Sequence, residues 1–306
     1  MKTFKTVILL LFTLVIFGNC NNGSSDLDFF GYPKKLVIGS YEGDNPDKTQ
    51  AAFEPFRAYL EKKLGVEVSF YFTSNYADII TALRAKKIQM AHLTPYNYVL
   101  ATQQMPGLAA IATLGTGGKP TVYHSIILTN PKTGLKTMAD VKARAKDLTL
   151  CFADPASASG HLIPRAYLNS IGLNPDSSFK ETMFAGSHNA VIMTVKAGKM
   201  DLGCTNSDLA LDLLIQAGSL KREDVVTLWT SPAIPNDAIT VRTDMNKDFI
   251  EKVQDAYLSA SKDDFKAFSP YVKLYWPHPE VMSYIAAADG LYSQLRNIAS
   301  KTKYIK

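Results

Sequence analysis

Cysteine is scarce, with three in 306 residues. Cys20 stands near the N-terminus, and Cys151 and Cys204 lie far apart in the body of the chain. Two such cysteines do not make a disulfide framework. Each lies near the end of an apolar run, LTLCF and MDLGCT, of the kind that forms a buried parallel strand. Side chains on adjacent parallel strands rarely meet disulfide geometry, so buried thiols are expected. No Cys/His ligand spacing occurs, which leaves a metal site without support. Charge of one sign is also lacking. The formal net charge is +5, but Lys2 and Lys5 stand in an N-terminal leader, which leaves +3 on the rest. That balance excludes the basic surface of a nucleic-acid binder. There is no low-complexity stretch or short-period repeat. With 46% hydrophobic and 20% charged residues, the composition excludes a disordered, collagenous or coiled-coil chain. At roughly 100 to 200 residues per domain, the length suits two lobes or one large domain and rules out a many-domain machine.

Long apolar runs are absent apart from one. Met1 to Thr6 carries two lysines and no acid, and Val7 to Phe17 (VILLLFTLVIF) is apolar up to Gly18-Asn19-Cys20. A helix of that run is about 16 Å long against a hydrocarbon core of about 30 Å. It reads as a bacterial secretion signal rather than a membrane span. The run, a small residue and then Cys20 resemble a lipobox, in which the cysteine becomes the lipidated first residue of the mature protein. Asn19 departs from the usual small residue there, and a plain secreted protein with an incidental Cys20 is the other reading. The polar segment Asn-Asn-Gly-Ser-Ser-Asp after Cys20 suits a flexible tether.

After Pro33, short apolar runs alternate with amphipathic segments. KLVIGS reads as a strand and Thr49 to Leu64 as a helix whose Phe53, Phe56, Leu60 and Leu64 share one buried face. VEVSFYF, a helix over Tyr76 to Lys86, IQMAHL and a helix over Pro95 to Gln104 continue the series. A second series begins after TVYHSIIL. It comprises a helix near Met138 to Ala145, LTLCFA, a helix over Ser159 to Ser170, FKETMFA and a helix over His188 to Ala197. MDLGCT, a helix over Asp208 to Ala217 and VVTLWTS complete it. Alternating strand and helix imply α/β lobes built on mostly parallel sheets flanked by helices. AITVRT and the helical segments after Lys247 lead back to the first series. The expected organisation is a leader over 1–19, a tether over 20–33, one lobe from 34–127 plus 241–306, and a second lobe over 128–240. A ligand cleft is expected between them, at the carboxyl ends of strands.

Asp154-Pro-Ala-Ser157-Ala158-Ser159-Gly160-His161 follows a strand and opens a helix. Small hydroxyl residues and glycine at such a start expose several N–H groups and the positive end of the helix dipole, which suits a bound anion. Routine N-capping by Ser157 or Ser159 is the plainer alternative. Ala185-Gly186-Ser187-His188-Asn189 is a second helix start after a strand, where His188 is either a hydrogen-bond donor to an oxyanion or a capping residue. Asp208 either faces a ligand or simply favours the first turn of its helix. Asp237, in Pro232-Ala-Ile-Pro235-Asn-Asp237, is otherwise a turn residue. Tyr76 and Tyr123 are otherwise ordinary amphipathic aromatics.

Together these stretches resemble the substrate-binding proteins of phosphate, phosphite and phosphonate ABC transporters, especially the phosphonate-binding type. The marks are LEKKLGVEV, SNYADIITALRAKKIQMAHL, VYHSIIL, DPASASGHLIPRAYL, GSHNAVIMTVKAGKMDLGCTNSDL and SPAIPND, in that order, from about Lys35 to Arg242. The resemblance implies the type II two-lobe periplasmic-binding-protein fold, no cofactor, and a monomer that docks with a permease and its ATPase. It also implies a location in the periplasm or cell envelope, lipid-anchored to the membrane. It implies that Ser157, Ala158, Ser159, His188, Tyr76 and Tyr123 hold the phosphonate oxygens. Ala158 departs from the threonine or serine common there, so its N–H alone would donate. In binders of aminoalkylphosphonates two acids face the ligand amine, and these map onto Asp208 and Asp237. Asp208 stands where a glutamate can occur. A carboxylate attracts an ammonium and repels a second negative charge, so these acids would favour a zwitterion such as 2-aminoethylphosphonate over phosphate or phosphite. Two other readings of the chain are a sensory or surface lipoprotein without transport and a hydrolase using Ser159, His188 and an aspartate. The serine segment lacks the G-x-S-x-G elbow of the latter.

Overall fold

The computed structural model describes residues 26–302. The leader, Cys20 and the first part of the expected tether lie outside the described residues. The chain runs through β1 (Leu36–Tyr41), α1 (Pro46–Leu64), β2 (Val68–Thr73), α2 (Tyr76–Arg84), β3 (Met90–Leu93), α3 (Pro95–Gln104), β4 (Leu108–Thr116) and β5 (Lys119–Pro120). It continues through β6 (Val122–Tyr123), β7 (Ser125–Thr129), α4 (Met138–Arg144), β8 (Thr149–Phe152), α5 (Ile163–Ser170), β9 (Glu181–Phe184), α6 (His188–Lys196), β10 (Leu202–Asn206), α7 (Asp212–Gln216) and β11 (Val226–Thr230). It ends with β12 (Ile234–Pro235), β13 (Ala238–Arg242), α8 (Lys247–Asp263), α9 (Phe265–Val272), β14 (Met282–Ala286) and α10 (Ser293–Lys301).

Helix α1 shows how sequence fixes an element. The Asn45 side chain accepts the Lys48 N–H at 3.1 Å, Pro46 opens the first turn, and Gly65 closes the helix at φ 71°. Phe53, Phe56, Leu60 and Leu64 are all buried, in one apolar cluster with Phe249, Val253 and Tyr257 of α8 and Phe268 of α9. Each such side chain contributes about 1.5–3 kcal/mol through burial. The C-terminal helices α8 and α9 pack on α1, and β14 joins the sheet of β4.

The two sheets are mixed rather than mostly parallel. The first has the order β14-β4-β13-β3-β1-β2, with β5 hairpinned onto β4. Its β1–β2 and β1–β3 pairs are parallel, while β13 runs antiparallel to both β3 and β4. The second has the order β11-β7-β10-β8-β9, parallel from β10 to β9 and antiparallel at β7. The helical crossovers give the parallel pairs. The antiparallel pairs of β7 and β13 come where the chain passes from one sheet to the other and enters from the opposite end, while β14 and β5 also run antiparallel to β4. These two crossings lie side by side as the ribbon β6–β12, in which Tyr123 pairs with Ile234. The expected boundaries at 127 and 240 fall inside β7 and β13; the strands themselves place the crossings just before Ser125 and just before Ala238.

Cys151 and Cys204 lie on adjacent parallel strands but face opposite ways. Cys151 packs with Ile126 and Leu128, Cys204 with Ile127 and Leu150. Both are free, buried thiols, and burial pushes Cys151 up to about 11.

Candidate functional site

A cavity of about 710 Å³ opens between the two sheets. On the second-lobe side its wall is the turn Ala158–Leu162, which joins β8 to α5 with the wide, π-helical pitch. The Ser157 hydroxyl caps this turn by accepting the Gly160 N–H at 3.0 Å, and the Leu162 N–H reaches back to the Ser157 carbonyl. The N–H groups of Ala158 and Ser159 lead the turn and precede the first N–H that donates within it, that of Gly160. Ser159 is buried, and its Oγ stands beside the Tyr123 hydroxyl without a hydrogen bond of good geometry among the described residues. An orphaned buried hydroxyl costs about 1–3 kcal/mol, which a ligand accepting from it would recover. The Ala158 methyl lies in the apolar cluster that also contains Leu162, Tyr96 and Tyr292. Only its N–H is available to a ligand.

The start of α6 comes alongside. The Ser187 hydroxyl caps it through the Ala190 N–H at 3.2 Å, and His188 turns its ring toward the first turn. His188 Nε2 lies 3.4 Å from Ser157 Oγ, and Nδ1 lies 3.0 Å from Thr205 Oγ1. Burial lowers the His188 pKa to about 4, so the ring is neutral at pH 7. Protonated at Nε2, it accepts the Thr205 O–H at Nδ1 and turns an N–H toward Ser157 and the cavity. A glycine is required at 160 for this approach. A Cβ there would stand 2.4 Å from Ala153 Cβ and 3.0 Å from His188 Cε1.

Tyr76, Tyr123 and Asp237 face the same cavity. Tyr76 opens α2, where Asn97 Nδ2 donates to its carbonyl at 3.0 Å, and its ring packs against Tyr41 with centroids 4.7 Å apart. Tyr123 comes from the crossing ribbon and is buried beside Ser159. Burial raises both phenols well above their usual range, so both remain hydrogen-bond donors. Asp237 follows the second crossing. Its backbone is fixed on both sides, with its N–H donating to Asn236 Oδ1 at 2.8 Å and its carbonyl accepting from Thr113 Oγ1 at 2.8 Å. Among the described residues its carboxylate has no hydrogen bond and no ion pair, and burial raises its pKa to about 7. Its charge is felt by Tyr76, Tyr123, Tyr271, Tyr275 and Tyr284.

The structure thus brings Tyr76, Tyr123, Ser157, Ala158, Ser159, His188 and Asp237 to one cavity. Asp208 falls in the turn Ser207–Leu211, and its side chain lies outside the described residues. Among the described residues no cluster of His, Cys, Asp or Glu could hold a metal ion.

Several lining residues carried no expectation. Tyr41, Thr94 and Asn206 stand at or just past the carboxyl ends of β1, β3 and β10, where the strand-end rule applied to every junction would have found them. Thr94 Oγ1 is a second buried hydroxyl without a partner among the described residues. Asn206 caps its turn by accepting from the Leu209 and Ala210 N–H groups at 3.1 and 2.6 Å. Tyr271, Tyr275 and Trp276 arrive from α9 and the loop after it. Tyr271 is held from behind by a buried chain: its hydroxyl lies 2.6 Å from that of Tyr284 and 3.4 Å from His92 Nδ1, and His92 Nε2 lies 2.7 Å from the Tyr257 hydroxyl.

The family model for the ABC transporter phosphonate periplasmic substrate-binding protein matches residues 39–273. The chain is 29% identical over 229 residues to the phosphonates-binding periplasmic protein of Escherichia coli (strain K12), covering 75% of this chain and 67% of that one. It is 27% identical over 237 residues to the phosphate-import protein PhnD of Mycolicibacterium smegmatis, covering 73% and 71%. The solved structure of PhnD1 from Prochlorococcus marinus (MIT 9301) in complex with methylphosphonate superposes with a TM-score of 0.75 at 23% identity, over 89% of this chain and 99% of that one. The architecture is accordingly the two-lobe, type II periplasmic-binding-protein fold. A cleft rich in neutral donors between two mixed sheets, matched by a family model over most of its length, makes this chain a member of the periplasmic substrate-binding proteins of phosphonate ABC transporters.

Proposed function

We propose that this protein captures an aminoalkylphosphonate of the 2-aminoethylphosphonate class and delivers it unchanged to a permease and its ATPase, from a membrane to which Cys20 is lipid-anchored. The observation that carries the choice of ligand is Asp237, a carboxylate without a partner in the same cavity as the neutral donors of Ser157, Ser159 and His188. An anion bound at the turn after β8 is held by N–H groups, hydroxyls and helix dipoles. A fully anionic ligand meets repulsion at Asp237, whereas a zwitterion offers it an ammonium. Asp208 is the second acid assigned to that amine. Tyr76 and Tyr123 donate to the phosphonate oxygens from the first lobe and the ribbon, so the ligand itself bridges the lobes and favours their closure about the β6–β12 crossings.

The test is calorimetric titration of the ligand-stripped protein with 2-aminoethylphosphonate, ethylphosphonate, phosphite and phosphate in parallel. The amine-bearing compound is expected to bind at least tenfold tighter than ethylphosphonate, about 1.4 kcal/mol. Equal binding of the two would remove the amine role and keep the oxyanion role. Phosphorus NMR after prolonged incubation is expected to return the ligand intact; a new phosphorus resonance would make the protein an enzyme. Absence of binding across the panel would favour a surface or sensory lipoprotein.

A further inference from the structure

The first described turn of the chain is firmly built and displays two phenylalanines to solvent. Asp28 organises it. Its Oδ1 accepts the N–H groups of Phe30 and Tyr32 at 2.8 and 2.9 Å, its carbonyl accepts the Gly31 N–H at 3.1 Å, and its own N–H donates to the Tyr32 carbonyl at 2.8 Å. Leu27 and Pro33 pair across the base. The turn is then fastened to the first lobe. Asn246 donates its backbone N–H to the Gly31 carbonyl at 2.8 Å and its side chain to the Phe30 carbonyl at 3.1 Å. Gly31 has φ +82°, and a Cβ there would stand 3.0 Å from the Asn246 nitrogen. Below it, Asp26 is paired with the buried Arg242 and accepts from Gln89 Nε2 at 3.0 Å, and the Tyr32 ring packs on Phe249.

At the apex, Phe29 is 96% and Phe30 72% exposed, their rings edge to face at 5.4 Å. Scattered apolar residues on a surface need no explanation. Two adjacent aromatics held outward by an immobilised backbone are a different matter, because the fold spends six hydrogen bonds on a loop that buries neither ring. We infer that this apex enters the surface of the membrane that carries the protein, its two rings lying among the lipid headgroups and upper acyl chains. Chain length selects this partner. From Cys20 to Asp26 the chain spans at most roughly 20 Å, whatever its conformation. A lipid on Cys20 therefore confines the apex to the membrane surface, where a weak apolar contact is multiplied by its high effective concentration. The exposed Lys34 beside the turn suits an anionic headgroup. This inference rests on lipidation of Cys20 and is independent of the ligand.

The test uses the full chain purified from membranes, with its N-terminal mass measured, and reconstituted in vesicles of phosphatidylethanolamine and phosphatidylglycerol. In a Phe29→Trp variant, the fluorescence added to that of the parent is expected to shift to the blue and to be quenched by lipids brominated in the acyl chains. Phe29→Ser/Phe30→Ser is expected to move between vesicles about tenfold faster than the parent, with ligand affinity unchanged. A lipid-bearing chain whose added tryptophan emits as in water and is not quenched would overturn the inference while leaving the anchor and the ligand reading intact. A chain without lipid on Cys20 would remove its ground, again without touching ligand binding. Concentration-dependent dimers abolished by the double serine variant would reassign the apex to self-association.

Discussion

Ser157 Oγ stands 3.4 Å from His188 Nε2, joining the turn after β8 to the first turn of α6. That distance is long for a direct bond and leaves both atoms free to contact a shared acceptor. His188 acts here as a neutral group, its pKa lowered to about 4 by burial. Replacing it with alanine is expected to weaken phosphonate binding by about 1–3 kcal/mol, the value of a hydrogen bond to a charged group plus the orphaned Thr205 hydroxyl. His188→Gln, which keeps an N–H donor, is expected to recover part of that loss in calorimetry. Unchanged affinity in the alanine variant would take His188 out of the binding site.

Asp237 leads to a pH signature that separates ligands. In the empty site its carboxyl titrates near 7, raised by burial. An ammonium binds the ionised form, so at pH values below about 7 binding must first release a proton. The ratio of 2-aminoethylphosphonate to ethylphosphonate affinity is therefore expected to rise by up to about tenfold per unit up to pH 7 and then level. Each affinity is first corrected for the ionisation of that ligand's own phosphonate, because the ammonium of 2-aminoethylphosphonate acidifies its phosphonate relative to that of ethylphosphonate. In Asp237→Asn the ratio is expected to fall and to become independent of pH; a ratio that stays high there would place the ammonium elsewhere.

What the sequence reveals of this site follows from which interactions are local. Ser157, Ser159 and His188 belong to strand–helix junctions, and a junction is written in six or seven consecutive residues. The buried face of α1 is equally local, since Phe53, Phe56, Leu60 and Leu64 repeat at helical spacing. Strand direction is not local: β13 reads like any buried strand, and only its passage from the other sheet makes it antiparallel. For the same reason Tyr271, Tyr275 and Trp276 read as ordinary core aromatics of a C-terminal helix, and it is the packing of α9 on α1 that brings them to the cavity. His92 is concealed in the apolar strand MAHL, where nothing nearby in sequence announces Tyr257 or Tyr271 as its partners.

Stability is expected to fall on mild acidification. His92, His161 and His188 have pKa values lowered by burial to about 3, 4 and 4. Each contributes stability that is complete above the unfolded value of about 6.5 and is lost as pH falls toward 4, at up to about 1.4 kcal/mol per pH unit. Asp237 opposes them, because its raised pKa stabilises the protein below the unfolded value and that contribution disappears as pH rises through 7. Asp154, also raised by burial, acts in the same sense as Asp237. Three groups against two leave a net loss between pH 6.5 and 4. Urea midpoints across this range are expected to decline with acid, and the decline is expected to be shallower in His92→Gln, which removes one of the three. A flat profile would mean that these rings take up protons in the folded protein as readily as in the unfolded chain.

Gly160 offers the sharpest test of how the binding turn is seated. Its backbone lies against β8, with the Ala153 N–H donating to the Gly160 carbonyl at 3.0 Å. A methyl group at 160 meets Ala153 Cβ at 2.4 Å and the His188 ring at 3.0 Å, both inside van der Waals contact. Neither the strand nor the capped helix start can retreat easily, so Gly160→Ala is expected to cost about 1–3 kcal/mol by overpacking. It is also expected to weaken phosphonate binding, because the contact that gives way most readily is the His188 side chain. Adding Ala153→Gly removes the closest clash and leaves those at His188 Cε1 and Ser157 Oγ, each 3.0 Å away. The double variant is expected to recover most of the lost melting temperature but only part of the lost affinity. Full recovery of both would show that His188 is not displaced, and no recovery of stability would show that the turn is seated by something other than its fit against Ala153.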